Sequence, residues 1–262
     1  MPEIKLTSAT LEYQSEGRGP ALLFAHGAGG NRLSWWQQVP AFQDRYTCIT
    51  FSHPGFGNST WTGNAAEAVD FSTVLSELLD RLEIDSVALV AQSMGGWTCL
   101  PLAVHQPERV GALFMASTPG NLRTPDIDRA REANGDRLEG LRRAWDERRP
   151  GSYNPAVGER CLREHPALHY LYSAIQELNP PRSIRHRLDI GAGDLAGYTT
   201  PTVYVTGEED VVLPSPIIEA AAEATPGARL ERVPSAGHSV YFERPGVFNA
   251  LLSGFLRDVY PS

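Results

Sequence analysis

The stretch Val90-Ala91-Gln92-Ser93-Met94-Gly95-Gly96 constrains what this chain can fold into more than any other. An apolar, β-leaning run from Ser86 to Val90 leads into it, and a helix-permissive run from Trp97 to Val104 leads out. Between them Ser93 is flanked, two residues away on either side, by Ala91 and Gly95. A strand that turns sharply into a helix has no room for larger side chains at those flanks. The residue at the apex is forced into a strained backbone conformation, and its side chain is pushed outward. The pattern therefore predicts an A-x-S-x-G-G elbow that offers Ser93 as a nucleophile. A small-Ser-small pentapeptide is common by chance, so the rest of the chain must supply a base, an acid and oxyanion donors.

The flanking sequence alternates strand-like and helix-like runs. Ile4 to Tyr13 alternates loosely and predicts an antiparallel edge pair. Ala21 to Ala25, Tyr46 to Phe51, Ser86 to Ala91 and Val110 to Ala116 are continuous apolar runs, the mark of strands buried on both faces. Leu33 to Phe42 fits a short helix, and Ala65 to Leu82 carries Val69, Val74, Leu75, Leu78, Leu79 and Leu82 at helical spacing. From about Asn121 to Leu195 no strand-like run appears. Charged, helix-favouring residues dominate there, broken at Pro150-Gly151, Pro155, Pro166 and Pro180-Pro181. Alternation then resumes with a strand at Thr202 to Thr206, a helix from Pro216 to Ala224, a strand at Arg229 to Val233 and a closing helix from Val247 to Val259. Strand-helix alternation on both sides of an insertion predicts a mostly parallel sheet with helices on both faces. The expected division is a core of residues 1–120 and 196–262 with a helical cap at 121–195. In such sheets functional groups gather at the carboxyl ends of the strands.

Composition narrows the partners. A net charge of −8 argues against nucleic acid or an anionic membrane surface. The arginine pairs Arg142-Arg143 and Arg148-Arg149 are interleaved with acids and read as a solvated helix face. Cys48, Cys99 and Cys161 are too few and scattered for a disulfide framework, and no His/Cys spacing suggests a metal. The start, Met1 to Lys5, lacks a charged-then-apolar signal pattern, and no apolar run approaches the roughly 20 residues of a membrane span. The expectation is a cytoplasmic protein, monomer or homodimer, acting on a small molecule without cofactor or metal.

A serine hydroxyl needs a base to take its proton and a third group to hold that base in the right tautomer. His238 lies in Ser235-Ala236-Gly237-His238-Ser239, directly after the last strand and before the last helix, which makes it the candidate base. Thr206-Gly207-Glu208-Glu209-Asp210 offers three carboxylates, and a turn after Gly207 returns Asp210 toward His238, with Glu208 and Glu209 as alternatives. The end of the Val110–Ala116 strand reads Ser117-Thr118-Pro119 and has no carboxylate. Negative charge on a carbonyl oxygen needs pre-placed N–H donors. One is expected from the Met94 backbone, at the start of the helix behind Ser93. The other is expected from the His26-Gly27-Ala28-Gly29-Gly30 loop, most simply Ala28, with His26 bracing that loop.

These segments, together with the turn Pro54-Gly55-Phe56-Gly57-Asn58-Ser59 and the run Glu243-Arg244-Pro245, resemble the α/β-hydrolase fold, in its capped, cofactor-free group of small esterases, lactonases, perhydrolase-like enzymes and C–C bond hydrolases. The resemblance covers nearly the whole chain. It implies a mostly parallel eight-stranded sheet with an inserted helical cap, and the order Ser93, Asp210, His238 is that family's order. The chain departs from the pattern at Ala91, where a glycine is usual, and at Ser52, where the turn usually begins with an aspartate that is normally structural. A serine rather than an aspartate nucleophile argues against haloalkane dehalogenases and epoxide hydrolases.

The expected function is hydrolysis of a small ester, thioester or lactone through an acyl-enzyme. The alternatives are C–C bond cleavage or elimination with the same triad, or a non-catalytic small-molecule receptor. Trp35, Trp145 and Tyr170 are the candidate pocket residues, with Tyr153 and Tyr172 as further aromatics of the cap and Arg182 or Arg185 available to hold a substrate carboxylate.

Overall fold

The structure, a computed structural model, describes residues 2–64, 70–136, 139–140, 143, 154–179 and 188–260. Strands β1 (Glu3–Lys5) and β2 (Ala9–Gly17) form the expected antiparallel edge, with Ile4 opposite Leu11. β3 (Ala21–Ala25) follows. The stretch expected as one helix then splits into a 3₁₀ turn, Arg32–Trp35, and a short α1 (Val39–Phe42). Asn31 caps the first piece by accepting the Leu33 N–H at 3.0 Å. Pro40 in the first turn of α1 has no N–H to continue a helix from above, so the chain restarts there.

β4 (Thr47–Phe51) and β5 (Thr60–Trp61) precede α2 (Phe71–Arg81). Asp70 caps α2 by accepting the Thr73 N–H at 2.9 Å, and residues 65–69 of the expected helix lie outside the described ones. β6 (Val87–Gln92), α3 (Gly96–His105) and β7 (Val110–Ala116) form the next unit. The inserted stretch opens with β8 (Leu122–Arg123) and α4 (Pro125–Ala133), and continues with α5 (Glu159–Glu164), α6 (Pro166–Glu177) and β9 (Ile190–Gly191). β8 and β9 pair in parallel, Leu122 with Ile190, and so stitch the exit and return of the insertion together. Two residues are too few for an alternation to show in sequence. β10 (Thr202–Gly207), α7 (Ser215–Ala224), β11 (Arg229–Val233), α8 (Val240–Glu243) and α9 (Pro245–Val259) complete the chain.

The strand order is β1-β2-β4-β3-β6-β7-β10-β11, with β5 attached to β2, and every pair from β4 to β11 along that path is parallel. Successive side chains on a strand point to opposite faces. Leu23, Ala25, Leu89, Ala91, Leu113 and Met115 therefore face Leu75, Leu78 and Leu100 on one side of the sheet. Leu22, Phe24, Ala88, Val90, Ala112 and Phe114 face Trp35, Phe248 and Leu252 on the other. Both faces are covered, which is why these strands read as unbroken apolar runs. Full burial of a leucine such as Leu75 or Leu78 is worth about 1.5–3 kcal/mol, so each α2 turn adds materially to holding β6 in place. No described helix is long and apolar enough to cross a membrane.

Candidate active site

The elbow forms where β6 ends. Ser93 sits at φ +50, in the left-handed region, at the start of a 3₁₀ turn that runs directly into α3. A non-glycine residue there is strained, and only tight surroundings hold it. Gly95 supplies that tightness, since a Cβ at this position would stand 2.2 Å from the Ala25 carbonyl oxygen on β3. Ser93 is half-buried and Met94 is buried, which leaves the Met94 N–H at the head of the turn behind the serine. The loop after β3 comes up against the elbow. A Cβ on Gly27 would lie 2.1 Å from Gln92 Oε1 and 3.0 Å from Ser93 Cβ, so only glycine lets this backbone approach the serine so closely. Ala28, the next residue, is exposed.

The expected base and acid are brought together. His238 Nδ1 lies 2.8 Å from Asp210 Oδ2, with both residues buried. Asp210 Oδ1 accepts the N–H groups of Val212 and Leu213, each at 2.8 Å, which fixes the carboxylate's rotation. A carboxylate facing Nδ1 makes that nitrogen the donor and leaves Nε2 as the basic atom. Glu208 and Glu209, the alternative acids, are exposed. Backbone bonds tie the acid loop to the base loop, Glu208 N–H to Val233 O at 3.1 Å and Glu209 N–H to Ala236 O at 2.9 Å. Gln92, next to Ser93, donates its amide to the His238 carbonyl at 3.4 Å. Elbow, acid loop and base loop are thus joined at the carboxyl ends of β6, β10 and β11.

His26 and His53 form a chain behind the loop after β3. His26 Nε2 accepts the His53 N–H at 2.9 Å, so its Nδ1, 2.8 Å from the Gly27 carbonyl, is the donor. His53 Nδ1 lies 3.1 Å from His26 Nε2, and His53 Nε2 lies 2.8 Å from Thr98 Oγ1 on α3. The pair braces the Gly27 loop against the helix behind Ser93.

Sequence reasoning missed Glu12. Ser52 stands where the resembled turn begins with an aspartate, and Glu12 reaches in from β2 to supply the carboxylate. It accepts from the Ser52 hydroxyl at 2.6 Å and from Asn58 Nδ2 at 2.9 Å, and it faces Arg32 Nε at 3.6 Å. Burial raises its pKa, but those hydrogen bonds and the Arg32 charge outweigh burial and hold it below the ordinary carboxylate value. The only signal in sequence was a glutamate next to the buried Leu11 on an edge strand, together with the unexpected Ser52.

The pocket candidates fall in different places. Trp35 is fully buried, its ring centroid 5.1 Å from that of Phe24 and 4.5 Å from that of Tyr241 in tilted pairs, and belongs to the core beneath the 3₁₀ turn. Tyr170 is 75% exposed on the outer side of α6. Trp145, Tyr153, Arg182, Arg185 and His186 lie outside the described residues, as do the pairs at 148–149, 150–151 and 180–181. Tyr172, two residues on from Tyr170, turns inward instead. Its hydroxyl accepts from Ser239 Oγ at 3.2 Å and lies 3.1 Å from where a Gly29 Cβ would stand. Asn179 donates to the Gly30 carbonyl and accepts the Gly57 N–H, both at 3.0 Å, and Asn31 donates to the Ile175 carbonyl at 3.3 Å. α6 therefore rests on the loop that carries Ala28.

The cysteine thiols are buried, which pushes Cys48 up to about 12 and Cys161 up to about 11 and raises Cys99 as well. They are not nucleophiles at neutral pH. Among the described residues no cluster of His, Cys, Asp and Glu could hold a metal ion.

Residues 22–251 match the model of the alpha/beta hydrolase family. The chain is 28% identical to the "Putative non-heme bromoperoxidase BpoC" of Mycobacterium tuberculosis, over 95% of this chain and 98% of that protein. It is 26% identical to 3-oxoadipate enol-lactonase 1 of Acinetobacter baylyi, over 95% of this chain and 94% of the other. Among solved structures it is similar to Est816, described as an N-acyl homoserine lactone degrading enzyme, with a TM-score of 0.74, 26% identity, and coverage of 97% of this chain and 100% of that one.

Proposed function

The chain belongs to the alpha/beta hydrolase family and is a hydrolase, and from that premise we propose that it cleaves a small ester, thioester or lactone through an acyl-enzyme on Ser93. The observation that carries this reading is the buried His238–Asp210 bond of 2.8 Å, held on loops bonded to an elbow where Ser93 stands at φ +50. Two of the similar proteins are named for lactones, which favours a carboxylic ester bond.

In this reading the Ser93 oxygen attacks the substrate carbonyl carbon while His238 Nε2 takes the hydroxyl proton. Asp210 keeps Nδ1 protonated and stabilises the imidazolium. The carbonyl oxygen becomes an oxyanion held by the N–H groups of Ala28 and Met94, each worth about 100- to 1000-fold in rate. As the tetrahedral centre collapses, the bond to the leaving oxygen or sulfur breaks and His238 returns its proton to the leaving group. Water, deprotonated by His238, then releases the acid and regenerates Ser93. The described helices of the inserted segment, α5 and α6, serve in this reading as the cap that selects the substrate, with Tyr172 at the contact with the loop that carries Ala28.

A panel of p-nitrophenyl esters of increasing acyl length, assayed with wild type and Ser93→Ala, tests the reading. Turnover of short esters that vanishes in Ser93→Ala is expected. Undiminished turnover in Ser93→Ala removes Ser93 from the mechanism. Ser93 labelling by a fluorophosphonate without turnover of any ester points to C–C cleavage by the same residues.

A further inference from the structure

Glu243 closes α8 and is 8% exposed, an unusual place for a carboxylate. Its Oε2 accepts the Gly237 N–H at 3.2 Å and its Oε1 accepts the Ser239 N–H at 3.3 Å. His238 is the residue between those two donors. One buried carboxylate therefore grips the backbone on both sides of the candidate base. A third N–H comes from Gly158, which directly precedes α5 in the inserted segment. The three strands of contact are tight. A Cβ on Gly158 would fall 2.9 Å from Glu243 Oε2, and one on Gly237 would fall 2.7 Å from the Gly158 nitrogen.

We propose that Glu243 is a positioning residue that aims His238 at Ser93 and couples that aim to the seating of the inserted segment at Gly158. The proposal rests on the serine-hydrolase reading above. Glu243 does not touch the reacting atoms, and it acts through the backbone of residues 237–239. Burial pushes its pKa up, the three N–H donors oppose this, and the Asp210 carboxylate adds to the rise. Glu243 and Asp210 thus feel each other's charge across the loop that carries His238. Among the described residues, the Cys161 thiol on α5, with Arg160 beside it, and the Tyr241 phenol on α8 itself also feel the Glu243 charge. Burial keeps both the thiol and the phenol protonated at neutral pH, so neither competes as a switch.

The test needs no knowledge of the substrate. The Ser93 oxygen attacks the fluorophosphonate phosphorus, His238 takes the hydroxyl proton and fluoride leaves, so the labelling rate, followed by intact mass, reports the base directly. Glu243→Gln has the same shape, but its amide nitrogen opposes one of the three N–H donors. The expected result is a plateau labelling rate lower by about 10- to 100-fold in a variant that stays folded, as for a misaimed catalytic group. Glu243→Asp keeps the carboxylate but shortens its reach, so it recovers only part of the rate lost in Glu243→Gln. A folded Glu243→Gln with a wild-type plateau overturns the proposal. If Glu243→Gln does not fold, Gly158→Ala crowds the carboxylate from the other side, and an unchanged labelling rate in that variant overturns it equally. Absence of labelling in wild type would instead sink the serine-hydrolase reading and take this proposal with it.

Discussion

Replacing Asp210 by asparagine is expected to abolish nearly all activity while leaving the fold intact, and the geometry says why. Asp210 Oδ1 is held by two backbone donors, the N–H groups of Val212 and Leu213 at 2.8 Å each, and only its other oxygen faces His238 Nδ1. An asparagine in this place keeps its single oxygen on the two backbone donors. Its NH₂ group is then forced onto the side of His238. Facing a donor, Nδ1 must give up its proton and act as acceptor, and the proton moves to Nε2. The nitrogen that should accept from Ser93 becomes a donor. Wrong-tautomer variants of this kind lose about 10⁴-fold, equivalent to about 5.5 kcal/mol of transition-state stabilisation. The stability cost is small, because both backbone bonds survive. In Asp210→Ala, by contrast, two buried N–H groups lose their acceptor at about 1–3 kcal/mol each. Fluorophosphonate labelling rates and melting temperatures of the two variants separate the effects. An Asp210→Asn variant that labels within about tenfold of wild type would refute the tautomer argument.

The remaining expectations concern the loops and the core beneath them. Gly27→Ala puts a methyl 2.1 Å from Gln92 Oε1, the movable end of a side chain, so the protein folds but the proposed Ala28 donor is pushed off the elbow; turnover of any accepted p-nitrophenyl ester should fall by about 100-fold or more. Glu12→Ala leaves Ser52, Asn58 and buried Arg32 without their carboxylate, and denaturant melts should show a loss of about 3–5 kcal/mol. Because the folded pKa of Glu12 lies below its ordinary 4.5, its contribution is present above that pH and disappears as pH falls through the folded value; wild type should therefore lose stability relative to Glu12→Gln on acidification below about 4.5. Trp35→Ala should cost about 3–5 kcal/mol of stability, while the ester KM stays as in wild type, since the ring is wholly in the core.

What could be read from sequence was what local chemistry dictates. Ser93 and Asp210 each follow a buried strand, His238 follows the partly exposed edge strand β11, and small residues at Ala91, Gly207 and Gly237 mark the turns. What escaped came from long-range packing. Glu12 answers the missing aspartate at Ser52 from a strand forty positions earlier in the chain, a pairing that no local pattern encodes. Trp35 and Trp36 are adjacent, yet one is fully buried and the other 44% exposed, because a 3₁₀ turn rather than a helix decides which face each takes. On α6, Tyr170 and Tyr172 are both aromatic and two residues apart, and helical geometry sends them to different sides. The strands β8 and β9 carry two residues each, too few for a period. Glu243 sat in a legible motif, but its grip on both sides of His238 depends on where α8 ends.

Incubating wild type and Ser93→Ala with a fluorophosphonate, followed by intact mass and peptide mapping, tests the central claim most directly. A single adduct on Ser93 in wild type, and none in Ser93→Ala, is the predicted result. An adduct on another residue, or no adduct in a folded wild-type protein, would contradict it.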